Sequence, residues 1–200
     1  LLSQKLGYVH LNSGLLYRAV TFIFISNNLF DKINELADNF FLENDINLEG
    51  SKLTNVTWND NDITEYLYNE EIDKNINLIS NHYLIRKHLV DKQRSLSTGN
   101  DIVCEGRDIG TVVFPDAQFK FFLNASVESR VNRRFDEFKK KNKSISKKEI
   151  EVDLINRDEN DRGRLLSPLV MANDAIEIDT TNLSILEQVK KIYNKIKQGE

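Results

Sequence analysis

The sequence predicts an α/β fold: a mainly parallel sheet flanked by helices. Three observations predict it. Residues 8–11, 101–104, 119–123 and 175–178 are short runs of strand length, and segments of helical periodicity lie between them. The run KFFL is also too short and too continuously apolar for a surface element. Ligands of such folds sit at the carboxyl ends of the strands.

The chain opens on LLSQKL with apolar spacing already under way, so it is expected to begin inside a helix, the preceding part removed by processing or left out of the sequence. Residues 8–11 alternate like a strand. Ser13 then caps a helix whose Leu16, Ala19, Val20, Ile23 and Phe24 form one stripe. Residues 42–65 are irregular and rich in Asn and Asp, with a β-prone piece at 55–58, and read as a small insert. Helical patterning returns over 69–96 as two helices, with Ile72, Ile76, Ile79 and then Leu84, His88 and Leu89 on inner faces. Residues 101–104 and 119–123 read as buried strands.

Ser126 begins a helix with Val127, Val131, Phe135 and Phe138 on one face, which leaves Arg130, Arg133 and Arg134 on others. A basic segment, 139–148, leads to a second helix through Ile150, Leu154 and Arg157. Residues 175–178 are the last strand. Ser184 and Glu187 fit a capping box for a final helix carrying Leu186, Val189, Ile192 and Ile196.

A chain of 200 residues, 40% hydrophobic and 29% charged, suits one compact unit with a single core and excludes disorder. A formal net charge of -4 argues against bulk binding to nucleic acid, though local basic patches can still hold phosphate. No apolar run approaches the roughly 20 residues of a membrane helix, so no membrane partner is expected. The single cysteine, Cys104, reads as core and points to a reducing, cytoplasmic compartment. His10, His82 and His88 are scattered, so no metal ligands are assigned, and His88 reads as a packed helix residue, not a base.

The chemistry-bearing residues are arginines placed where the chain turns. Arg18, Arg94, Arg107, Arg157, Arg162 and Arg164 all stand at or near element ends. A guanidinium suits phosphate oxygens and carboxylates bidentately and stays charged at any working pH, so several near strand ends imply an anionic ligand. In EGRDIG, Gly106 and Gly110 are expected to let the backbone turn tightly and a ligand approach, while Asp108 holds a donor of that ligand and Arg107 faces its phosphate. RDENDRGR places Arg157 and Asp161 at i, i+4, which fits either a salt-bridged helix end or a ligand site. The cationic residues from Arg130 to Lys148 fit a solvated face or a mobile flap that covers phosphate.

Taken in order, LNSGLLYRA, CEGRDIGTVVFPDA, FFLNAS and RDENDRGRLLSPL resemble the bacterial cytidylate kinase family of nucleoside monophosphate kinases, from the first residues almost to the last. The resemblance implies the P-loop nucleoside monophosphate kinase fold and transfer of a phosphoryl group from ATP, with Mg2+, to CMP or dCMP. It further implies that Ser13, Tyr17, Arg18 and Arg107 bind the acceptor and its phosphate, beside Gly106. Arg94, Asp108 and Asn77 would read cytosine, and Arg157 and Asp161 would address the sugar, with Arg164 completing the pocket. Arg107, Arg157 and Arg164 would act in catalysis, and Arg133 and Arg162 on ATP. The core would comprise 1–41 and 81–200, with a lid at about 134–157 and an acceptor-binding insert at 42–80. A cytoplasmic monomer is implied.

Four departures from the family pattern stand out. Asn12 replaces a carboxylate, Asn77 a serine and Tyr68 a common arginine. The fourth is that no G-x-x-x-x-G-K-[ST] occurs in the 200 residues. In the family that loop and its strand come just before the helix in which this chain begins, so the first strand and the phosphate-binding loop are expected to be missing and the polypeptide inactive. One alternative is a noncatalytic nucleotide-binding homologue that retains CMP recognition. Another is a structural partner with no ligand, whose arginines serve only as surface ion pairs.

Overall fold

The computed structural model of the chain describes residues 1–36, 39–50, 53–140 and 144–199. Its elements run in order α1 (Leu2–Leu6), β1 (Val9–Asn12), α2 (Ser13–Ser26) and two single-turn helices, α3 (Ile33–Leu36) and α4 (Phe40–Glu43). Next come β2 (Ile46–Glu49), β3 (Asn55–Trp58), β4 (Asn61–Asp62), α5 (Glu70–Ser80) and α6 (Tyr83–Ser97). They are followed by β5 (Ile102–Glu105), β6 (Phe121–Asn124), α7 (Val127–Lys140), α8 (Lys147–Gly163), β7 (Ile176–Asp179) and α9 (Ile185–Gly199). Among the described residues no helix is long and apolar enough to cross a membrane.

The expected parallel pairing is present. The chain divides into two compact units, Leu1 with Ser3–Ile109 and Leu2 with Gly110–Glu200. Each has its own parallel pair, β1 with β5 in the first and β6 with β7 in the second. The division falls inside the loop that follows β5, where Ile109–Val113 form a π-helical turn. Residues 42–80 lie wholly within the first unit.

In the first unit, β1 pairs with β5 in the register Leu11↔Cys104 and Asn12↔Glu105, so the two strands end side by side. Directly after β1 the chain enters α2, whose predicted stripe of Leu16, Ala19, Val20, Ile23 and Phe24 is fully buried. The cap is Asn12, not Ser13: the Asn12 side chain accepts from the Gly14 amide at 3.0 Å, which satisfies one orphan donor of the first turn. Strands β2, β3 and β4 pair in that order as an antiparallel sheet. Phe22 pins that sheet to α2, stacked on Tyr66 at 5.6 Å and edge-on to Trp58 at 6.5 Å.

Two helices do cover the 69–96 pattern, but the inner face of α6 is Ile85, Arg86, Leu89, Val90 and Gln93. His88 is exposed, its ring tilted against Phe41 with centroids 4.7 Å apart, because the helix phase that buries Ile85 and Leu89 turns position 88 outward. Strand β5 is half-buried, not buried, and so is Cys104.

In the second unit, β6 and β7 pair in the register Phe121↔Ile176 and Leu123↔Ile178. Ile178 is buried along with Val113, Val131, Ile150, Ile192 and Ile196, whereas Leu123 and Leu186 are exposed, against the sequence expectation. Among the described residues strand β6 has β7 as its one strand neighbour, so only part of its surface is covered. The capping box at Ser184 is present: its amide donates to Glu187 Oε2 at 2.8 Å and its Oγ accepts from the Glu187 amide at 3.3 Å. Ser146 and Glu149 make a second such box at the start of α8. Of the basic segment, residues 141–143 lie outside the described residues.

Candidate active site

The first group of predicted residues forms where β1 and β5 end. The Ser13 hydroxyl donates to the Glu105 carbonyl at 2.8 Å, which fixes the first turn of α2 against the residue that precedes Gly106. A Cβ at Gly106 would stand 2.3 Å from Ser13 Oγ and 2.8 Å from Ile109 Cδ1. Glycine is required there for clearance, not for a left-handed backbone, since neither Gly106 nor Gly110 has positive φ. Gly110 is crowded in turn by Lys120, whose Cδ would lie 3.2 Å from an added Cβ. The Glu105 carboxylate faces His10 Nε2 at 3.2 Å.

Two residues on, the chain turns Asp108 inward. Its carboxylate accepts from Arg86, a residue the sequence reading did not single out. Both are buried, with 6% and 5% of their surface exposed. The other arm of the Arg86 guanidinium donates to the Ser80 carbonyl at 2.9 Å, and the Tyr17 ring lies 5.5 Å from its central carbon. Tyr17, Arg86, Asp108 and the end of α5 therefore form one cluster. Asn77 belongs to the last turn of α5, where its carbonyl accepts from the Asn81 amide. Arg94 is exposed, two turns beyond Arg86 on α6, and Arg107 is exposed directly after β5.

Arg18 lies one turn into α2. Its Nη1 donates to the Leu67 carbonyl at 2.9 Å, its Nη2 to Asp73 Oδ1 at 2.5 Å, and the Tyr68 ring is centred 5.2 Å from its central carbon. The residue that departs from the family pattern, Tyr68, thus packs against the arginine assigned to the acceptor phosphate.

The second unit holds the remaining predicted residues. Asp161 is buried on α8, with its carbonyl accepting from the Leu169 amide at 2.7 Å, and Arg164 Nη2 stands 3.7 Å from Asp161 Oδ1. Arg157 and Arg162 are exposed on the same helix. Arg133, expected on ATP, directs its guanidinium at the segment after β7, donating to the carbonyls of Thr180, Thr181 and Leu183. Arg130 pairs with Asp158 at 2.7 Å and so joins α7 to α8.

Among the described residues, no group of three or more His, Cys, Asp or Glu is placed to hold a metal ion. Burial pushes the Cys104 thiol up to about 12, with the carboxylates of Glu105 and Asp108 adding to the effect, so it is no nucleophile at neutral pH.

The cytidylate kinase family model matches residues 1–198. A cytidylate kinase of Caldanaerobacter subterraneus is 37% identical over 198 residues, covering 99% of this chain and 87% of the relative. Those of Halalkalibacterium halodurans and Thermotoga neapolitana are each 39% identical over 198 residues, covering 98% and 99% of this chain and 89% of each relative. This chain belongs to the cytidylate kinase family of ATP-dependent nucleoside monophosphate kinases, transferases of pyrimidine nucleotide metabolism.

Proposed function

We propose that the protein is a cytidylate kinase that moves the γ-phosphoryl group of ATP to CMP or dCMP, giving CDP or dCDP. The observation that carries this reading is the buried pair under Tyr17 of Arg86 from α6 with Asp108 from the GRD loop, beside the Ser13–Glu105 hydrogen bond. A base edge with a donor and acceptors side by side suits such a pair of opposite polarity. We therefore assign cytosine to Asp108 and Arg86, with Asn77 nearby in sequence on α5, in preference to the exposed Arg94. Arg18 and Arg107 take the acceptor phosphate, together with Ser13.

In this reading Asp161 addresses the sugar, and Arg157 and Arg164 join Arg107 in offsetting charge as the phosphoryl group passes between nucleotides. An oxygen of the CMP phosphate attacks the γ-phosphorus and ADP leaves. That oxygen is already ionised at neutral pH, so the reaction needs alignment and fixed positive charge, not a side-chain base. Residues 42–80 serve as the acceptor-binding insert and about 134–157 as the lid. Arg162 faces ATP, while Arg133 acts through the loop it ties down.

Magnesium enters as part of the ATP complex. The described residues offer no ligand set of their own, and no step is assigned through the metal. The 200 residues contain no G-x-x-x-x-G-K-[ST] either, so the cradle for the donor phosphates is not assigned to any of them. The protein is read as a cytoplasmic monomer with neither nucleic acid nor membrane as partner.

Titration calorimetry with CMP, together with a phosphate-transfer assay, tests this. CMP binding that is lost in Arg86→Met supports the reading, and no heat of binding from the folded protein sinks it. Binding without transfer, even with an intact donor cradle supplied, would favour the noncatalytic alternative.

A further inference from the structure

The acceptor-phosphate arginine is already occupied by an anion of the protein itself. Arg18 engages the Leu67 carbonyl, the Tyr68 ring and the Asp73 carboxylate, and of these three partners only Asp73 is charged. The Arg18 side chain is 15% exposed and that of Asp73 46%, so the carboxylate is the more accessible member of the pair. We propose that Asp73 is an affinity-setting residue: it holds Arg18 Nη2 in the free protein and must release or share that donor when a nucleotide phosphate arrives. The proposal rests on the assignment of Arg18 to the acceptor phosphate made above.

Three features make the pair suitable for exchange. Two anions on one guanidinium repel each other, so the resident carboxylate raises the free energy of the phosphate-bound state. The Leu67 carbonyl and the Tyr68 ring hold the guanidinium when Asp73 lets go, so Arg18 need not swing away. The start of α5 does not depend on this carboxylate either. Asn69 caps the helix by accepting from the Ile72 amide at 2.9 Å, and the Asp73 amide donates to the Asn69 carbonyl at 3.2 Å. The expected outcome is weaker binding and faster release of anything that carries a phosphate there, with recognition of the base and sugar untouched.

The test is calorimetry on the full 200-residue chain with CMP and with cytidine, for the wild type, Asp73→Asn, Asp73→Ser and each of these in an Arg18→Met background. The proposal expects both Asp73 variants to bind CMP about two- to fivefold tighter, the range of a partly exposed ion pair, with the response to cytidine unchanged. In the Arg18→Met background neither substitution should alter CMP binding. Unchanged or weaker CMP binding by folded Asp73 variants overturns the proposal and leaves the kinase reading intact. Loss of folding in both variants also overturns it, because the carboxylate would then be part of the scaffold. Absence of CMP binding by the wild type and every variant removes the kinase reading and the proposal together.

Discussion

Asp108 and Arg86 form an ion pair in which both partners are buried, although 22 residues separate them in the chain. Removing one member strands the other's charge away from water, at a cost of about 3–5 kcal/mol. Arg86→Met and Asp108→Ala are each expected to lower stability on that scale, and the double variant by less than the sum. Urea unfolding measures all three. A loss below about 1 kcal/mol for Asp108→Ala would show that water reaches the pair.

Gly106→Ala forces a methyl group against Ser13 Oγ and Ile109. Overpacking of this kind costs about 1–3 kcal/mol, and here it also breaks the Ser13–Glu105 hydrogen bond at the strand ends. The expected result is a lower melting temperature together with weaker CMP binding. Part of the stability should return when Ser13→Ala removes the clashing oxygen. Simple addition of the two losses would mean that the backbone moves aside instead.

Lys120 ties Asp174 to the loop after β5: its ammonium donates to Asp174 Oδ2 at 2.6 Å and to the Pro115 carbonyl. The hydrogen bond from Lys120 holds the Asp174 carboxyl below its ordinary value of 3.8. A depressed acid stabilises the fold fully above that ordinary value and loses the contribution as pH falls through the lower one. Asp174→Asn is therefore expected to flatten the acid limb of a melting-temperature profile taken from about pH 6 to about pH 3, with the wild-type and variant curves converging at its acid end. Parallel curves throughout would refute the linkage.

Cys104 is half-buried, and its thiol is raised to about 12. At about pH 8 the thiolate is on the order of one part in ten thousand, so alkylation by iodoacetamide in the native state is expected to be far slower than in urea. Equal rates in the two states would show that the strand end opens freely.

Much of this was legible in the sequence because local pattern decides it. The stripe from Leu16 to Phe24 and the box at Ser184 and Glu187 follow from helical period and capping chemistry, which act over a few residues. Arg86 escapes a reading by position because it stands inside α6 and not at an element end. Its signal was an arginine at i with Val90 at i+4 and Gln93 at i+7, all on the buried stripe of α6. A guanidinium there must find a buried acceptor, and an internal Asp in a glycine-flanked loop was the candidate. The partition into two units was not legible, since it depends on which strands lie side by side, and no short window of sequence encodes strand order. The role of Gly106 was misread for a similar reason: the clash that excludes a side chain there comes from Ser13, far away in the chain.

Besides a 3.4 Å bond to the Thr180 hydroxyl, the bonds that Arg133 makes to Thr180, Thr181 and Leu183 end on main-chain oxygens. Every amino acid supplies such an oxygen, so genetic drift at positions 180, 181 and 183 leaves these acceptors chemically intact. The instructions for those main-chain bonds are written in a single codon, the one for residue 133. Among descendants of this gene, position 183 should therefore tolerate wide variation while position 133 stays arginine.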